Sequence, residues 1–172
     1  GAASEVHTLS TPEVVASFVM TDGSIQRSSH ATIQVNGLFY RVTADTFFQA
    51  NRFLLASFVA EVLEQVGPSP KHVLELYAGA GFFSIPLARA ANEVIAIESN
   101  RWAVRQAQEN ATANQTPQLR FVEGQADTIL LRSSDLKPDL ILLDPPRAGC
   151  GVKMAERITQ LKPRRIVYVS CN

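Results

Sequence analysis

From residue 71 onward, the sequence alternates between short, continuous apolar runs and segments whose apolar residues have helical spacing. Three of the runs contain no charged residue: VIAI at 94–97, LILL at 140–143 and IVYV at 166–169. Strands of this kind are buried on both faces, as in a parallel sheet covered by helices. We therefore predict an α/β fold with a Rossmann-like, doubly wound parallel sheet of five strands.

The preceding residues have a different pattern. Residues 1–45 are predicted to form a β-rich accessory segment, in which Asn36-Gly37 separates the strand-like runs ATIQV and LFYRV. This dipeptide between two such runs is the strongest short signal for a β-hairpin. A helix is predicted within residues 51–67, where Gly67 and Pro68 end it. Residues 46–172 then form the main domain.

Composition excludes several classes of protein. The 172 residues carry a formal net charge of zero, so any contact with nucleic acid must come from local basic residues. Two cysteines cannot build a disulfide scaffold, and their number suits a reducing cytosol, so we expect a cytoplasmic protein. The three histidines are scattered and predict no metal site. No apolar run approaches the roughly 18 residues of a membrane span.

The first strand of the predicted sheet leads into a glycine turn in the stretch LELYAGAGFF, residues 74–83. Gly79 and Gly81 let a ligand approach the backbone without meeting a Cβ. Because a lone Gly-x-Gly motif is short, the alternative is a tight turn that binds no ligand. A dinucleotide fingerprint requires a third glycine where this chain has Ser84, which disfavours NAD. The acidic Glu75, four residues before Gly79, favours S-adenosylmethionine.

The next two strands end in further polar residues. Glu98 can accept hydrogen bonds from the ribose hydroxyls of an adenosine, and the alternative is a solvated acidic residue. Gln125 or Asp127 can reach an adenine edge, while a helix N-cap at Asp127 explains the same pattern. Together with the glycine turn, Glu98 favours nucleoside binding.

The last two strands end in the most reactive groups. Asp144 is followed by two prolines, which stiffen the loop, and by Arg147. An aromatic residue after the prolines would indicate methylation of an exocyclic amine, so Arg147 points to another acceptor. Cys171 follows the fifth strand, where it is either a small buried hydrophobic residue or a nucleophile. Strands one, four and five are expected to be neighbours.

Five motifs resemble those of the RNA (uracil-5-)-methyltransferases, which modify ribosomal or transfer RNA. They occur in the family's order and cover residues 38–172 approximately; they are FFQAN at 47–51, LELYAGAGFFSIPLA at 74–88, VIAIESN at 94–100, LLDPPRAG at 142–149 and IVYVSCN at 166–172. The resemblance implies a class I S-adenosylmethionine-dependent enzyme that methylates carbon 5 of a uridine in RNA through a covalent cysteine adduct.

The resemblance also implies a role for individual residues. Cys171 is the expected nucleophile. The other expected site residues belong to the cofactor pocket: Gln49, Tyr77, Glu98 and Asp144 as contacts, Gly79 and Gly81 as the residues that shape the turn, and Gln125 as a weaker contact. Five arginines are expected to contact RNA, and the alternative is that they are solvent-exposed surface residues without a ligand. They are Arg41, Arg52, Arg147, Arg164 and Arg165.

The chain departs from the family in several places. The family's proton-abstracting Glu follows the Cys in a stretch absent here, the four-cysteine iron–sulfur site is absent, and Phe82 replaces an Asn after the second turn glycine. We expect a fragment truncated at its C-terminus, which binds the cofactor, is slow or inactive in methylation, and exposes a sheet edge on which it can form a homodimer. Three alternatives remain: a non-catalytic S-adenosylmethionine-binding module, a methyltransferase for another substrate, and a NAD-dependent enzyme.

Overall fold

The computed structural model describes residues 18–19, 25–26, 30–43, 53–133 and 135–170 of the chain. Its strands are β1 (Phe18–Val19), β2 (Ile25–Gln26), β3 (His30–Val35), β4 (Leu38–Thr43), β5 (His72–Leu76), β6 (Glu93–Glu98), β7 (Leu119–Glu123), β8 (Leu140–Leu143) and β9 (Arg165–Tyr168). Its helices are α1 (Leu55–Val66), α2 (Ser84–Ala90), α3 (Arg101–Ala113), α4 (Ala126–Arg132) and α5 (Gly151–Gln160). The short strands β1 and β2 pair with each other.

The five strands from β5 onward form one parallel sheet in the order β7-β6-β5-β8-β9. The predicted doubly wound α/β fold is confirmed, as is the expected adjacency of β5, β8 and β9. From β5 the chain first adds β6 and β7 on one side of this strand. It then crosses to the other side of β5, where it adds β8 and β9, so the strand order reverses at β5. Such a reversal opens a crevice at the carboxyl ends of the central strands, where ligands of this fold bind.

Apolar side chains cover both faces of the sheet. On one face, α1, α2 and the β3–β4 hairpin pack with strand residues such as Val73 and Leu142. On the other face, α4 and α5 pack with Leu74 and Ile141. All four residues of β8 are buried, which explains why its sequence is a continuous apolar run. Each such side chain contributes roughly 1.5–3 kcal/mol of burial free energy.

The β3–β4 hairpin is also confirmed. Its strands are antiparallel with Val35 opposite Leu38, and the intervening Asn36 and Gly37 both have positive φ, at 49° and 77°. Two positive φ angles define the turn type that Asn-Gly favours and that matches the twist of the strands. The alternate residues Leu38 and Tyr40 are buried in the core beside the sheet. The division of the chain at residue 45 stays a prediction.

Two strands lie at the edges of the described sheet. On β9, Ile166 and Tyr168 are each 48% exposed, and the described residues provide no further strand beside them. The homodimer through this edge stays a prediction. None of the helices in the described part of the chain has the length and apolar character that crossing a membrane requires.

Candidate functional site

A cavity of about 520 Å³ lies at the carboxyl ends of β5, β6 and β8. Its volume falls in the range of sites for small molecules and cofactors. Its walls combine apolar and polar groups; the lining residues are Tyr77, Ala78, Gly79, Ala80, Phe82, Phe83, Glu98, Ser99, Asn100, Ala103, Asp144, Pro145, Pro146 and Arg147. A smaller cavity of about 230 Å³ lies at the opposite, amino end of β5, away from the crevice that the strand order creates.

The two glycines of the turn after β5 have different surroundings. Both have positive φ, at 54° for Gly79 and 86° for Gly81. A Cβ added at Gly79 would meet no atom within 4 Å, so this residue leaves open space at the cavity. A Cβ added at Gly81 would lie 3.3 Å from both the Ala107 Cβ and the Phe121 ring. Gly81 therefore lets the turn pack closely against α3 and β7, and it is not among the described cavity-lining residues.

Glu98 joins the glycine turn to the start of α3. Its Oε2 accepts a hydrogen bond from the Gly79 N–H at 2.9 Å, and its Oε1 accepts one from the Asn100 N–H at 2.7 Å. The Asn100 side chain then caps α3 by accepting hydrogen bonds from the Trp102 and Ala103 N–H groups. A carboxylate has about four acceptor positions, so Glu98 retains capacity for ligand hydroxyls.

Tyr77 and Asp144 form another wall of the cavity. Tyr77 has a φ of 63°, a left-handed conformation that is uncommon for a residue with a bulky side chain. Such strain is concentrated at functional sites. Burial raises the pKa of the Tyr77 hydroxyl and also that of the half-buried Asp144 carboxyl. Pro145 and Pro146 follow Asp144 and restrict the loop that carries it.

Glu75 lies in β5, the strand that leads into the turn, and is only 2% exposed. Burial, followed by repulsion from Asp144 and Glu98, raises its pKa to about 8. The neighbouring Ser84 hydroxyl acts in the opposite direction. Even so, neither Ser84 Oγ nor Glu75 Oε2 makes a hydrogen bond of good geometry with any described group. We infer that Glu75 is protonated at neutral pH, because an unpaired buried charge is strongly disfavoured.

The arrangement suits a nucleoside that carries positive charge. Glu98 offers acceptors for hydroxyl groups at one end of the cavity, and Asp144 places a second carboxyl group at another strand end. Phe82 and Ala78 supply apolar surface between polar groups. The exposed Arg147 is the cationic residue among those that line the cavity.

Comparison with known proteins shows the family to which the chain belongs. Residues 25–172 match the tRNA (uracil-5-)-methyltransferase family, and this range is most of the chain. The chain belongs to the tRNA (uracil-5-)-methyltransferase family. The resemblance predicted from the five motifs is therefore confirmed.

Relatives of this uracil-5-methyltransferase family member act on different RNAs. The tRNA (uracil(54)-C(5))-methyltransferase of Schizosaccharomyces pombe is 31% identical over 91% of this chain. A 23S rRNA (uracil(1939)-C(5))-methyltransferase of a Shewanella species is 40% identical over 76% of it. The chain spans 33% and 29% of those two proteins, so it corresponds to about a third of their length.

A solved structure shares both the family and the fold. The crystal structure of Pyrococcus abyssi tRNA (uracil-54, C5)-methyltransferase in complex with S-adenosyl-L-homocysteine matches with a TM-score of 0.74 at 31% identity. The match covers 87% of this chain and 37% of that one. Pyrococcus abyssi Trm5b, at 21% identity and a TM-score of 0.66, shows the same fold only.

The structure brings together four of the predicted site residues, Tyr77, Gly79, Glu98 and Asp144, around one cavity. Gln125 is exposed and does not line it; this residue is the N-cap of α4, in the place considered for Asp127. Gln49 and Cys171 lie outside the described residues. Their assignments, like those of the other site residues, stay predictions.

The sequence alone does not single out some of the lining residues. Asn100 is an example, although an Asn directly before a helical segment is a recognised N-cap signal. Phe82, where the resemblance implies an Asn, is 6% exposed, and its ring centroid lies 4.8 Å from that of Phe83 and 5.8 Å from that of Tyr40. Phe82 therefore serves the hydrophobic core and one wall of the cavity at once.

The difference between the two turn glycines gives a stability test. Gly79→Ala and Gly81→Ala both place a Cβ on left-handed backbone, at a cost of roughly 1–2 kcal/mol. Only the Cβ at Gly81 also meets side chains at 3.3 Å. We expect Gly81→Ala to unfold at lower urea concentration than Gly79→Ala, with a difference of about 1 kcal/mol or more. Equal midpoints would contradict this account of the turn.

Buried Glu75 gives a pH test. Because its pKa rises from about 4.5 to about 8 on folding, the native state binds a proton that the unfolded state has lost between these values. Stability should therefore fall as pH rises from 5 to 8, with a slope of at most about 1.4 kcal/mol per pH unit from this group. Glu75→Gln removes the titration, so urea midpoints of this variant should fall less over that range. Parallel pH profiles for the two proteins would show that Glu75 ionises normally.

Proposed function

We propose that this chain is the catalytic part of an RNA methyltransferase that transfers a methyl group from S-adenosylmethionine to carbon 5 of a uridine, with Cys171 as the nucleophile. The supporting observation is the cavity that Gly79, Glu98 and Asp144 line at the strand ends. Family membership supports uridine in RNA as the acceptor. The target is a tRNA or an rRNA, as in the relatives.

The cavity residues bind and orient the methyl donor. Glu98 accepts hydrogen bonds from the ribose hydroxyls while it continues to hold the Gly79 and Asn100 N–H groups. Asp144 provides negative charge for a cationic ligand, and Tyr77 lines the same cavity as the two carboxyl groups. S-Adenosylmethionine, when bound, supplies an electrophilic methyl group. Gly79 lacks a Cβ and so leaves the space that this ligand needs. We assign Gly81 to the packing of the turn, Gln49 to cofactor contact through the family motif, and Gln125 to a peripheral position.

The fold supports the assignment of Cys171. The Val169 N–H donates to the Leu143 carbonyl at 2.9 Å, so the end of β9 lies beside the residue that precedes Asp144. The Tyr168 hydroxyl is also near the loop after Asp144, because a Cβ added at Gly149 would lie 3.5 Å from it. Cys171 follows Val169 by two residues.

A thiol is required because carbon 5 of uracil is a weak nucleophile. The Cys171 thiolate adds to carbon 6, and the electron pair of the 5,6 double bond moves to form an enolate. Carbon 5 then forms a bond to the donated methyl carbon as the bond from that carbon to the sulfonium sulfur breaks, and S-adenosyl-L-homocysteine is the leaving group. A base, for which the family resemblance implies a Glu that follows the Cys, removes the proton from carbon 5. The double bond is restored and the thiolate leaves, so a series of easier steps replaces one difficult step. Such a thiol must stay reduced, which fits a cytoplasmic protein.

The RNA must present a single uridine to the site. A uridine in folded RNA has to leave its stack before it can reach Cys171. Arg147 is exposed at the cavity and is suited to pair with a phosphate beside the extruded nucleotide. Arg41, which is 46% exposed and 3.8 Å from Glu109, and Arg164 and Arg165 at the start of β9 are further candidates for phosphate contacts.

The two cysteines of the chain allow a controlled test of the nucleophile. We expect the 172-residue chain to form a covalent complex with RNA that contains 5-fluorouridine, because fluorine at carbon 5 blocks the final proton removal. Cys171→Ala should abolish this complex and all methyl transfer, yet change the dissociation constant for S-adenosylmethionine less than about twofold. Cys150→Ala, which alters the half-buried N-cap residue of α5, should retain the complex.

Denaturing gel electrophoresis of labelled RNA measures the complex, and isothermal titration calorimetry measures cofactor binding. A complex that persists in Cys171→Ala would overturn the assigned nucleophile. Cofactor binding without any covalent complex in the unsubstituted chain would instead favour a non-catalytic binding module.

A further inference from the structure

Three buried amide side chains form a row along α3. Gln106 and Asn110 lie in the helix and Asn114 is its C-cap; they are four residues apart and so lie on one face. Their side chains form hydrogen bonds with backbone groups of β4 that do not pair with β3, in the way that a neighbouring strand would. Asn114 receives a hydrogen bond from the Phe39 N–H at 2.9 Å and donates to the Phe39 carbonyl at 2.6 Å. Gln106 donates to the Arg41 carbonyl.

Asn110 extends this row to the glycine turn. Its Oδ1 accepts a hydrogen bond from the Arg41 N–H at 2.8 Å, and its Nδ2 donates to the Arg41 carbonyl at 3.2 Å. The same Nδ2 donates to the Ala80 carbonyl, also at 3.2 Å. Both amide protons of Asn110 are therefore used, one for the hairpin and one for a residue that lines the cavity. This side chain is 1% exposed, so water cannot replace either bond.

Tyr40 holds the same turn from the hairpin. It is fully buried in β4, and its hydroxyl donates to the Phe82 carbonyl at 3.1 Å. Its ring packs against that of Phe82, with centroids 5.8 Å apart. Asn110 and Tyr40 thus bind the two carbonyls on either side of Gly81.

Restraint of these carbonyls fixes the shape of the turn. The described peptide bonds are all trans, so each carbonyl points opposite to the N–H of the next residue. Binding the Ala80 and Phe82 carbonyls consequently orients the Gly81 and Phe83 N–H groups as well. Gly81 has a wide choice of backbone conformations, and its N–H is held by the Ala78 carbonyl at 3.0 Å. External restraint is what keeps such a residue in one conformation.

We propose that Asn110 and Tyr40 are positioning residues of the cofactor cavity, and that the β3–β4 hairpin acts through them as part of this site. The hairpin therefore strengthens binding although none of its described residues lines the cavity. The effect on binding rests on the proposed function, since it assumes that the cavity holds S-adenosylmethionine. The effect on the turn itself does not need a ligand.

The turn is tested first in the unliganded chain. Amide hydrogen exchange by NMR at Gly79 and Gly81 reports its opening. We expect Asn110→Ala and Tyr40→Phe to accelerate this exchange roughly fivefold to tenfold, because each variant loses one buried hydrogen bond to the turn. Asn114→Ala is the matched control: it removes equivalent bonds to β4 from the same helix face and should change exchange at the turn less than about twofold.

The same variants are then compared in cofactor affinity. We expect the dissociation constant for S-adenosylmethionine to rise roughly fivefold to tenfold in Asn110→Ala and Tyr40→Phe, but not in Asn114→Ala. Tyr40→Phe removes a single oxygen atom and decides the matter if Asn110→Ala does not fold. Unchanged exchange at the turn in Tyr40→Phe, or equal acceleration in Asn114→Ala, overturns the positioning role. Failure of the unsubstituted chain to bind S-adenosylmethionine refutes the proposed function, while the exchange rates still decide whether the turn is held in this way.

Discussion

The bonds from Glu98 to two backbone N–H groups are the constraint on which the cavity depends. Glu98 ends β6, and its two oxygens hold Gly79 of the turn after β5 and Asn100 at the start of α3. Hydrogen bonds to a carboxylate are about twice as strong as those between neutral groups. One side chain therefore restrains two segments that line the cavity, and it does so from the end of β6.

The remaining walls depend on packing and on restricted backbone. Asp144 follows the fully buried β8 and precedes two prolines, so its position is set by the core on one side and by the loop on the other. Asn110 of α3 and Tyr40 of the hairpin restrain the turn, because each donates a hydrogen bond to one of its carbonyls. The cavity is thus lined by residues at the ends of the central strands and at the start of one helix, and the hairpin restrains the turn that lines it. Burial raises the pKa of the Glu75 carboxyl in β5.

The sequence predicts most of the architecture because its signals are local. Continuous apolar runs identify β6 and β8 as largely buried parallel strands, and Asn36-Gly37 identifies the hairpin. The expectation that the run of β9 is buried on both faces is wrong, because β9 lies at the edge of the described sheet with Ile166 and Tyr168 half exposed. The sequence also predicts that Gly79 lies beside a ligand site, because this glycine follows the end of a strand and precedes a helix. The packing role of Gly81 and the place of Asn110 depend on which helix approaches the turn. Such tertiary contacts produce no periodic pattern in the sequence. The exposure of Gln125 also depends on tertiary packing, so the sequence does not predict it.

A crystal structure of the chain with S-adenosyl-L-homocysteine tests the central claim most directly. The account predicts that the ligand occupies the cavity at the ends of β5, β6 and β8, with a ribose hydroxyl within about 3.2 Å of a Glu98 oxygen and the Gly79 contact retained. The account would be contradicted by a ligand bound elsewhere, or by one bound in this cavity with no contact to Glu98.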